Sequence, residues 1–332
     1  MPLHTRPKIV ASAIAVLIAA SACGGPAESV ADDLSQVSLR VGDQTGNTQA
    51  LLEEAGLLDD VPYEIEWSEY AAAVNLHEAL MAGAIDIGGA ADAPTVSAIA
   101  GGSWIQVFAA WSNNGKGTAL VVPEDSSAES LADLAGGEVS PSTRGSIAHF
   151  LLLRAVDEEG LEPDSVEPTF LAPVDAGAAF SAGELDAWAT WNVYLARAQG
   201  EQGARVLVDG EDLLPGLYLL SATDDALDDP LLVEAMADYS ARVDAGYAWG
   251  RDNPEEFVEF YADFAGQSVD VAERVADSNT DYHRIGVDTD LAESLEDTYA
   301  TWVDGDVLPD RDLDLAEYVA EEAPAADDGA AD

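Results

Sequence analysis

Hydroxyl and glycine residues are concentrated in residues 140–146, directly before a long amphipathic helical pattern. The first-turn amides of a helix lack intrahelical partners and carry the positive end of its dipole, so this segment predicts an anion site to which Arg144 adds a cation. Alternatively, Ser142 or Ser146 only caps the helix and Arg144 pairs with a surface carboxylate. The candidate ligands here are Ser142, Thr143, Arg144, Gly145 and Ser146.

Four further segments share this neutral polar character in a chain that is acidic elsewhere. Each follows a predicted strand, and ligands in open α/β sheets bind beyond the carboxyl ends of strands. Thr45 and Asn192 are hydrogen-bonding candidates within them, which suits a ligand held by hydrogen bonds. The segments are residues 43–48, 89–95, 172–175 and 190–192.

Trp188 lies in the predicted strand at residues 186–190, and Trp191 follows that strand directly. Side chains alternate along a strand, so one ring is expected to pack in the core while Trp191 lines a cleft at the strand end. The alternative is that both rings belong to the core.

The patterns of several catalytic and cofactor sites are missing. The sequence has no G-x-S-x-G elbow and no Cys-His pair, and neither GxGxxG after a strand nor a Walker lysine. We therefore predict a protein that is not an enzyme and needs no cofactor. The histidines have no ligand-like spacing and are expected to be structural; they are His4, His77, His149 and His283.

Carboxylates near the C-terminus match part of a calcium-binding loop. The sixth loop position holds Leu315, where such a loop requires glycine for its sharp turn. We interpret the segment as an acidic approach to a helix, with no metal site, and leave calcium as the alternative. The matching residues are Asp310, Asp312, Asp314 and Glu321.

The overall charge excludes a nucleic-acid-binding protein. The 332 residues include 64 Asp plus Glu against 13 Lys plus Arg, a formal net charge of −51. Binding to phosphates requires a positive surface that replaces their counterions. Hydrophobic residues make up 48%, enough for buried cores, so the chain is globular rather than disordered. A surface this acidic suits a halophilic, salty medium.

The N-terminus has the three parts of an export signal. Arg6 and Lys8 precede an apolar stretch over residues 9–20, and small residues follow up to Cys23. Small residues before a cysteine are typical of a bacterial lipoprotein, so we predict a signal peptide over 1–22, lipidation of Cys23 and a flexible tether over 23–35. Ordinary signal cleavage that leaves a spare thiol is the alternative. The predicted location is the extracytoplasmic side of the cell membrane.

Beyond the tether, short β-branched runs alternate with helical patterns, which predicts a mostly parallel sheet with helices on its faces. After Pro230 the pattern is helical only. We place one lobe at 36–123 plus 215–320, a second at 124–214 and a disordered acidic tail at 321–332. Closure of the lobes is expected about the predicted strands at 119–122 and 217–221.

Several stretches resemble one protein family in order and spacing. They are similar to the substrate-binding proteins of ABC importers for aliphatic sulfonates, taurine and nitrate, over about residues 37–314. Residues 145–155 are most similar to the aliphatic-sulfonate branch. The other stretches are residues 39–44, 78–88, 131–139 and 183–188.

The resemblance implies an α/β, two-lobed periplasmic-binding-protein type II architecture with a ligand cleft between the lobes. It also implies a monomer that delivers a small anionic, sulfonate-like solute to an ABC permease without catalysis. The sequence departs from the family at Asp43, often an aromatic, and at Asn192, where an acid with proline is usual. Binding residues that the resemblance transfers are Gln44, Asp92, Pro94, residues 143–146 and Trp191.

Other ligands remain open at this point. Nitrate, bicarbonate, taurine or a pyrimidine would suit the same family, and an enzyme on the same fold is a further alternative. Taurine would need a carboxylate for its ammonium group, and Asp43, Asp92 and Asp175 are the candidates. The neutral Asn192 would accommodate a smaller or more anionic ligand than the family's acid does.

Overall fold

The structure is a computed structural model that describes residues 33–162, 164–211 and 213–320. The predicted signal peptide, Cys23, most of the tether and the acidic tail lie outside the described residues. Within those residues, no helix combines the length and apolar character that a membrane span requires.

The described strands form two sheets, which confirms the predicted α/β class with two lobes. The prediction of a mostly parallel sheet is wrong, because three strand pairings among the described residues are parallel and five are antiparallel. The six-stranded sheet has the order β10-β4-β9-β3-β1-β2 and the four-stranded sheet the order β6-β7-β5-β8. The strands are β1 (Ser38–Gln44), β2 (Glu64–Tyr70), β3 (Ile87–Ala91), β4 (Ile105–Ser112), β5 (Thr118–Val122), β6 (Val139–Ser140), β7 (Ala187–Trp191), β8 (Arg205–Asp209), β9 (Leu217–Thr223) and β10 (His283–Ile285).

Helices cover both sheets. Their starts carry the expected signals, since Ser146 and Ser268 accept a backbone hydrogen bond as caps and prolines begin three of them. The helices are α1 (Asn47–Glu54), α2 (Ala73–Met81), α3 (Asp92–Ala100), α4 (Ile147–Glu158), α5 (Pro173–Ser181), α6 (Asn192–Gln202), α7 (Asp224–Leu227), α8 (Pro230–Asp252), α9 (Pro254–Ala265), α10 (Val269–Asn279) and α11 (Thr289–Asp304).

The strand directions place loops 43–48 and 89–95 at one edge of the larger sheet. β1 pairs in parallel with both β2 and β3, so the carboxyl ends of these strands lie together. β9 is antiparallel to β3 and β4, and it returns the chain to this sheet from the second lobe. All five residues of β5 are buried, as expected for an interior strand.

The boundary predicted at residue 123 is wrong for β5. This strand pairs with β7 and β8, so the first lobe ends before it and the chain crosses between sheets at residues 113–117 and returns at 210–216. Both crossings contain glycine at positive φ because their backbones touch: a Cβ on Gly216 would lie 2.1 Å from the Gly115 amide nitrogen. The predicted pivot strands are β5 and β9, interior strands of the two sheets. Lobe closure itself stays a prediction.

The C-terminal helices contact both lobes. α10 packs on α6, and α11 packs on α3 and α4. The Trp302 ring of α11 lies 5.3 Å from that of Phe150 on α4, within one hydrophobic core that extends across both sheets. These contacts hold the starts of α3 and α4 next to each other.

Two short strands, β6 and β10, and two helices, α3 and α7, were not predicted from the sequence, and one predicted strand is absent. Residues 167–171 form only a single bridge between Pro168 and Val139, and β6 and β10 have two and three residues, too few for a periodic signal. The α3 sequence has proline at its third position, which masks a helical pattern.

Candidate anion-binding cleft

The starts of α3 and α4 belong to different lobes, where the resemblance predicts the ligand cleft. α3 begins directly after β3, and α4 follows the 140–146 loop after β6. A Cβ placed on Gly145 would lie 3.8 Å from the Ser97 hydroxyl of α3. The structure therefore brings the predicted 143–146 segment of one lobe against the first turns of α3 on the other.

The loop before α4 forms its own hydrogen bonds. The Gly145 amide donates to His149 Nδ1 at 3.2 Å, and the Ser146 amide donates to the Thr143 carbonyl at 3.2 Å. Ser146 Oγ accepts the His149 amide at 3.3 Å as helix cap. Gly145 and Ser146 stay predicted ligand residues, but both of their amides are already bonded within the loop. The next amides along the chain, those of Ile147 and Ala148, belong to the first turn of α4, where backbone N–H groups have no intrahelical partner.

His149 fixes this loop and was not predicted to contribute to the site. Burial, with a smaller contribution from Arg144, lowers its pKa to about 4, so the ring is neutral at pH 7. Its Nδ1 accepts the Gly145 amide, which places the proton on Nε2. Phe170 meets the ring edge-on at 4.8 Å and Trp302 packs at 5.2 Å. The histidine four residues after Gly145 is the signal that sequence reasoning passed over.

Arg144 remains available for a ligand. Its guanidinium carbon lies 4.4 Å from the centre of the Phe170 ring, and within the described part of the chain it makes no ion pair. The side chain is exposed, as is neighbouring Thr143. The aromatic contact holds the cation without neutralising it. The alternative of a surface ion pair for Arg144 is therefore not what the structure shows.

Ser142 is a positioning residue rather than a ligand. It is fully buried; its hydroxyl donates to the Ala189 carbonyl at 2.9 Å and accepts the Trp188 indole N–H at 3.0 Å. Both bonds tie the loop to β7, so this predicted ligand faces the core instead of the cleft. Its φ of +58° makes the loop turn sharply before Arg144.

The lobe 1 residues Gln44 and Thr45 lie at the end of β1. Gln44 Nε2 donates to the Gly89 carbonyl at 2.8 Å, which ties β1 to β3. Exposed Thr45 donates its hydroxyl to the Gln44 carbonyl and its amide to the Tyr70 carbonyl. The Thr45 hydroxyl proton is used by this bond, whereas Gln44 Nε2 keeps a second N–H that a ligand could accept.

Asp43, the first departure from the family pattern, stabilises the start of α1. It is buried, and its Oδ2 accepts the Gln49 amide at 2.9 Å. Burial raises the pKa of this carboxyl, while the amides of α1 lower it. A carboxylate at a helix N-terminus interacts favourably with the dipole. Asp43 therefore has a structural role at the start of α1.

Asp92, by contrast, has an unused oxygen. The residue is fully buried at the start of α3; Oδ2 accepts the Thr298 hydroxyl at 3.4 Å, and Oδ1 has no partner among the described residues. Burial raises its pKa to about 6. Pro94, two residues later, is half-buried. Asp92 and Pro94 both lie in the first turn of α3, directly after β3.

Trp191 and Asn192 close the cleft on the second lobe. Trp188 is buried, whereas Trp191 is half-buried with its ring edge-on to Tyr194 at 6.1 Å, as the alternation predicted. Asn192 has a φ of +49°; its amide donates to the Gly117 carbonyl at 2.7 Å and its Nδ2 to Asn279 Oδ1 at 3.2 Å. Asn192 Oδ1 has no partner among the described residues.

No group of three or more metal-ligating side chains occurs among the described residues. Asp314 accepts the Ala316 amide at 3.0 Å as the cap of a short 3-10 helix, Leu315–Tyr318. Glu321, the last member of the calcium-like pattern, lies outside the described residues.

A separate cavity of about 310 Å³ lies between α5 and α6, lined by residues such as Pro173, Trp188 and Arg197. None of the predicted ligand residues lines it. The cavity therefore offers an alternative place for a small molecule, distinct from the interlobe cleft.

Comparison with known proteins supports the resemblance. The model of the NMT1/THI5-like family matches residues 53–257. A putative aliphatic sulfonates-binding protein of Escherichia coli K12 is 37% identical over 218 residues, an alignment that covers 64% of this chain and 66% of the relative, just under two thirds.

Two solved structures have similar folds. The periplasmic aliphatic sulphonate-binding protein SsuA of Escherichia coli gives a TM-score of 0.77 at 29% identity, with 86% of this chain and 92% of that chain covered. The alkanesulfonate-binding protein SsuA of Xanthomonas axonopodis pv. citri, bound to MOPS, gives 0.74 at 27% identity, with 87% and 99% covered. The chain belongs to the NMT1/THI5-like family and has the fold of these periplasmic binding proteins.

Proposed function

We propose that this protein is the solute receptor of an ABC importer and binds an aliphatic sulfonate or a related small oxyanion between its lobes. The observation that carries the proposal is the start of α4, where an unpaired Arg144 stands beside the first-turn amides of a helix whose preceding loop is already hydrogen-bonded. Family membership and the sulfonate-binding relatives support the same ligand class.

In this proposal the sulfonate group occupies the start of α4. Its oxygens would accept from the Ile147 and Ala148 amides and from Arg144, and charge-assisted bonds of this kind are stronger than neutral ones. His149 accepts the Gly145 amide as a neutral ring, so it orders the loop without adding a positive charge beside Arg144. No covalent bond forms or breaks, so the protein acts through binding and closure alone.

The organic part of the ligand would extend toward Trp191. This ring is half-buried at the end of β7 and rests on Tyr194, which keeps an apolar face at the cleft. Aromatic surfaces beside a polar anchor are typical of sites for amphipathic small molecules. Nitrate and bicarbonate have no organic tail and would leave this face uncovered, which favours a sulfonate over them.

The enzyme alternative lacks a reactive group near the cleft. Lys116, the lysine among the described residues, pairs with Asp281 at 2.6 Å, and burial lowers the pKa of His77 to about 4. His149, the histidine nearest the cleft, uses its Nδ1 within the loop. Cys23 lies outside the described residues. We infer a binding protein rather than a catalyst.

The proposal includes export and attachment. Residues 1–22 would direct export, Cys23 would carry the lipid, and a monomeric receptor would deliver its solute to the permease on the extracytoplasmic side. Replacing Cys23 by serine should release the protein from the membrane fraction. Wild-type protein with an unlipidated N-terminus at another residue would contradict the anchor.

Calorimetric titration with propane-1-sulfonate, nitrate and bicarbonate tests the ligand class. The sulfonate should bind and raise the melting temperature, because a ligand specific to the native state stabilises it by mass action. Binding of nitrate or bicarbonate without any binding of the sulfonate would overturn the proposal.

A further inference from the structure

Trp104 is the most exposed large hydrophobic residue in the part of the chain that the structure describes, at 72%. It precedes β4, which runs in the same direction as β3 because both strands are antiparallel to β9. The Trp104 end of the larger sheet is therefore opposite the end that carries residues 89–95. A single exposed indole is ordinary on a protein surface. This one has a partner, since the Tyr318 ring lies nearly parallel to it, with ring centroids 6.5 Å apart and 28° between the planes.

A cavity of about 120 Å³ lies against both rings. Its lining includes two exposed carboxylates, Asp224 and Glu317, and neither forms an ion pair with any described residue. Gln106 Nε2 donates to Asp224 Oδ1 at 3.1 Å, which holds this carboxylate beside the cavity. Two aromatic rings and two carboxylates without a cation therefore meet at one small cavity. The lining residues are Trp104, Ile105, Gln106, Asp224, Glu317 and Tyr318.

The fold holds the walls of this cavity in place. Tyr318 ends the short 3-10 helix Leu315–Tyr318. Two residues later, the Ala320 amide donates to the Val107 carbonyl of β4 at 3.0 Å, which fixes the segment against the strand that Trp104 precedes. Asp224 begins α7 directly after β9, the neighbour of β4 in the sheet. Because the backbone on both sides is ordered before a ligand arrives, binding requires little additional ordering.

We propose that this cavity is a second binding site, specific for a small quaternary ammonium group. The faces of Trp and Tyr rings attract a cation that lies within about 6 Å of the ring centre, and quaternary ammonium groups are recognised in this way. The carboxylates of Asp224 and Glu317 add attraction of the same sign. A metal ion would lack ligands, because no three metal-ligating side chains converge among the described residues.

The size of the cavity favours a compact group, since sites for drug-sized molecules measure about 300–1,000 Å³. A free solute and a choline lipid headgroup share this chemistry. The site lies in the first lobe, away from the predicted cleft, and it does not depend on the proposed sulfonate function.

Choline and its uncharged analogue 3,3-dimethyl-1-butanol test the proposal as a matched pair, because they differ by a nitrogen cation in place of a carbon. In the NMR spectrum of the full-length protein, the Trp104 indole N–H signal is assigned by its absence in Trp104→Leu. At constant ionic strength, choline should shift this signal saturably with a Kd on the order of 1 mM, and the analogue should bind at least about 10-fold more weakly. Equal affinities, or no saturable shift with choline, would overturn the proposal.

A substitution in the cavity wall sharpens the test. Tyr318→Leu should weaken choline by about three- to fivefold, the range for one exposed cation–π contact. Phe264→Leu, which removes a partly exposed ring on α9 outside this cavity, is the matched control and should leave the affinity unchanged. An unaltered affinity in Tyr318→Leu would contradict a site between the two rings. The wild-type comparison needs no wall variant, so it decides the question even if this substitution impairs folding.

Vesicles identify the source of the ammonium group once choline binds. Broadening of the Trp104 signal by phosphatidylcholine vesicles, but not by phosphatidylglycerol vesicles, would support a lipid headgroup. An unchanged signal with both would support a free solute. Sulfonate binding is measured separately, so failure of the choline experiment would leave the proposed function standing.

Discussion

The starts of α3 and α4 face each other across the cleft, yet they are built in opposite ways. At α4, Ser146 caps the helix and His149 holds the Gly145 amide, so the loop is complete without a ligand. At α3, no side chain caps the helix, and Asp92 is buried with a free oxygen. One helix start presents ordered donors and the other a desolvated acceptor. The α4 start therefore needs no ligand to complete its loop, whereas the Asp92 oxygen at the α3 start has no partner among the described residues.

The largest effect is expected at the α4 start. Arg144→Ala should weaken binding of a sulfonate by about 10- to 150-fold, equivalent to roughly 1.5–3 kcal/mol for a hydrogen bond to a charged group. Because the side chain is exposed and unpaired, the melting temperature of the ligand-free protein should stay unchanged. Arg274→Ala, which removes a surface partner of Asp270, serves as the control in the same titration. Unaltered affinity in Arg144→Ala would place the sulfonate elsewhere.

The next effect concerns the acid stability that His149 imposes on the α4 start. Burial lowers its folded-state pKa to about 4, below the ordinary 6.5, so its stabilising contribution is complete above pH 6.5 and is lost as the pH falls toward 4. Between pH 6.5 and pH 4, the unfolding free energy of His149→Phe should fall by about 2 kcal/mol less than that of the wild type. Urea denaturation at a series of pH values measures this. The same pH dependence of the unfolding free energy in His149→Phe as in the wild type would contradict the buried neutral ring.

A smaller effect of opposite sign is expected at the α3 start. Burial raises the pKa of Asp92 to about 6, above the ordinary 3.8, so its ionised form costs stability that is absent at low pH and complete above pH 6. Asp92→Asn should therefore raise the unfolding free energy of the ligand-free protein at pH 7 by about 1–2 kcal/mol. Chemical denaturation provides the value. A variant less stable than wild type would mean that contacts to the carboxylate, such as the Thr298 hydrogen bond, outweigh its desolvation cost.

The smallest effect is expected at Trp191, between the two helix starts. Trp191→Leu should weaken a longer alkanesulfonate such as pentane-1-sulfonate by about three- to fivefold, because it removes part of an aromatic contact worth under about 1 kcal/mol. Methanesulfonate should be almost unaffected. Trp104→Leu controls for the loss of an indole at an exposed position outside the cleft. Equal losses for both ligands would show that Trp191 acts through the fold rather than through the alkyl chain.

Local chemistry in the sequence was sufficient to locate the start of α4 and the 89–95 segment, although α3 itself was not predicted to be a helix. Glycine, hydroxyls and Arg144 in residues 140–146 mark the α4 loop, and residues 89–95 follow the apolar β3 strand, so both could be placed at strand ends. The α/β class followed from alternating periodicities in the same way. These signals depend on neighbours within a few residues, which is the range that a single sequence records well.

The unpredicted features depend on contacts between distant segments. Ser142 became a positioning residue through Trp188, 46 positions away, and β5 joined the second lobe through its pairing with β7. The free oxygen of Asp92 arises because α11 covers it and supplies only Thr298. Hydrogen-bond partners and burial of this kind are settled by tertiary packing, so the sequence named the candidate residues but not which of their atoms remained free.

A crystal structure of the protein with propane-1-sulfonate tests the central claim most directly. The sulfonate oxygens are expected at about 2.7–3.2 Å from the Ile147 and Ala148 amides, with Arg144 turned toward them and the alkyl chain beside Trp191. A ligand bound instead in the cavity between α5 and α6, with the start of α4 unchanged, would contradict the account.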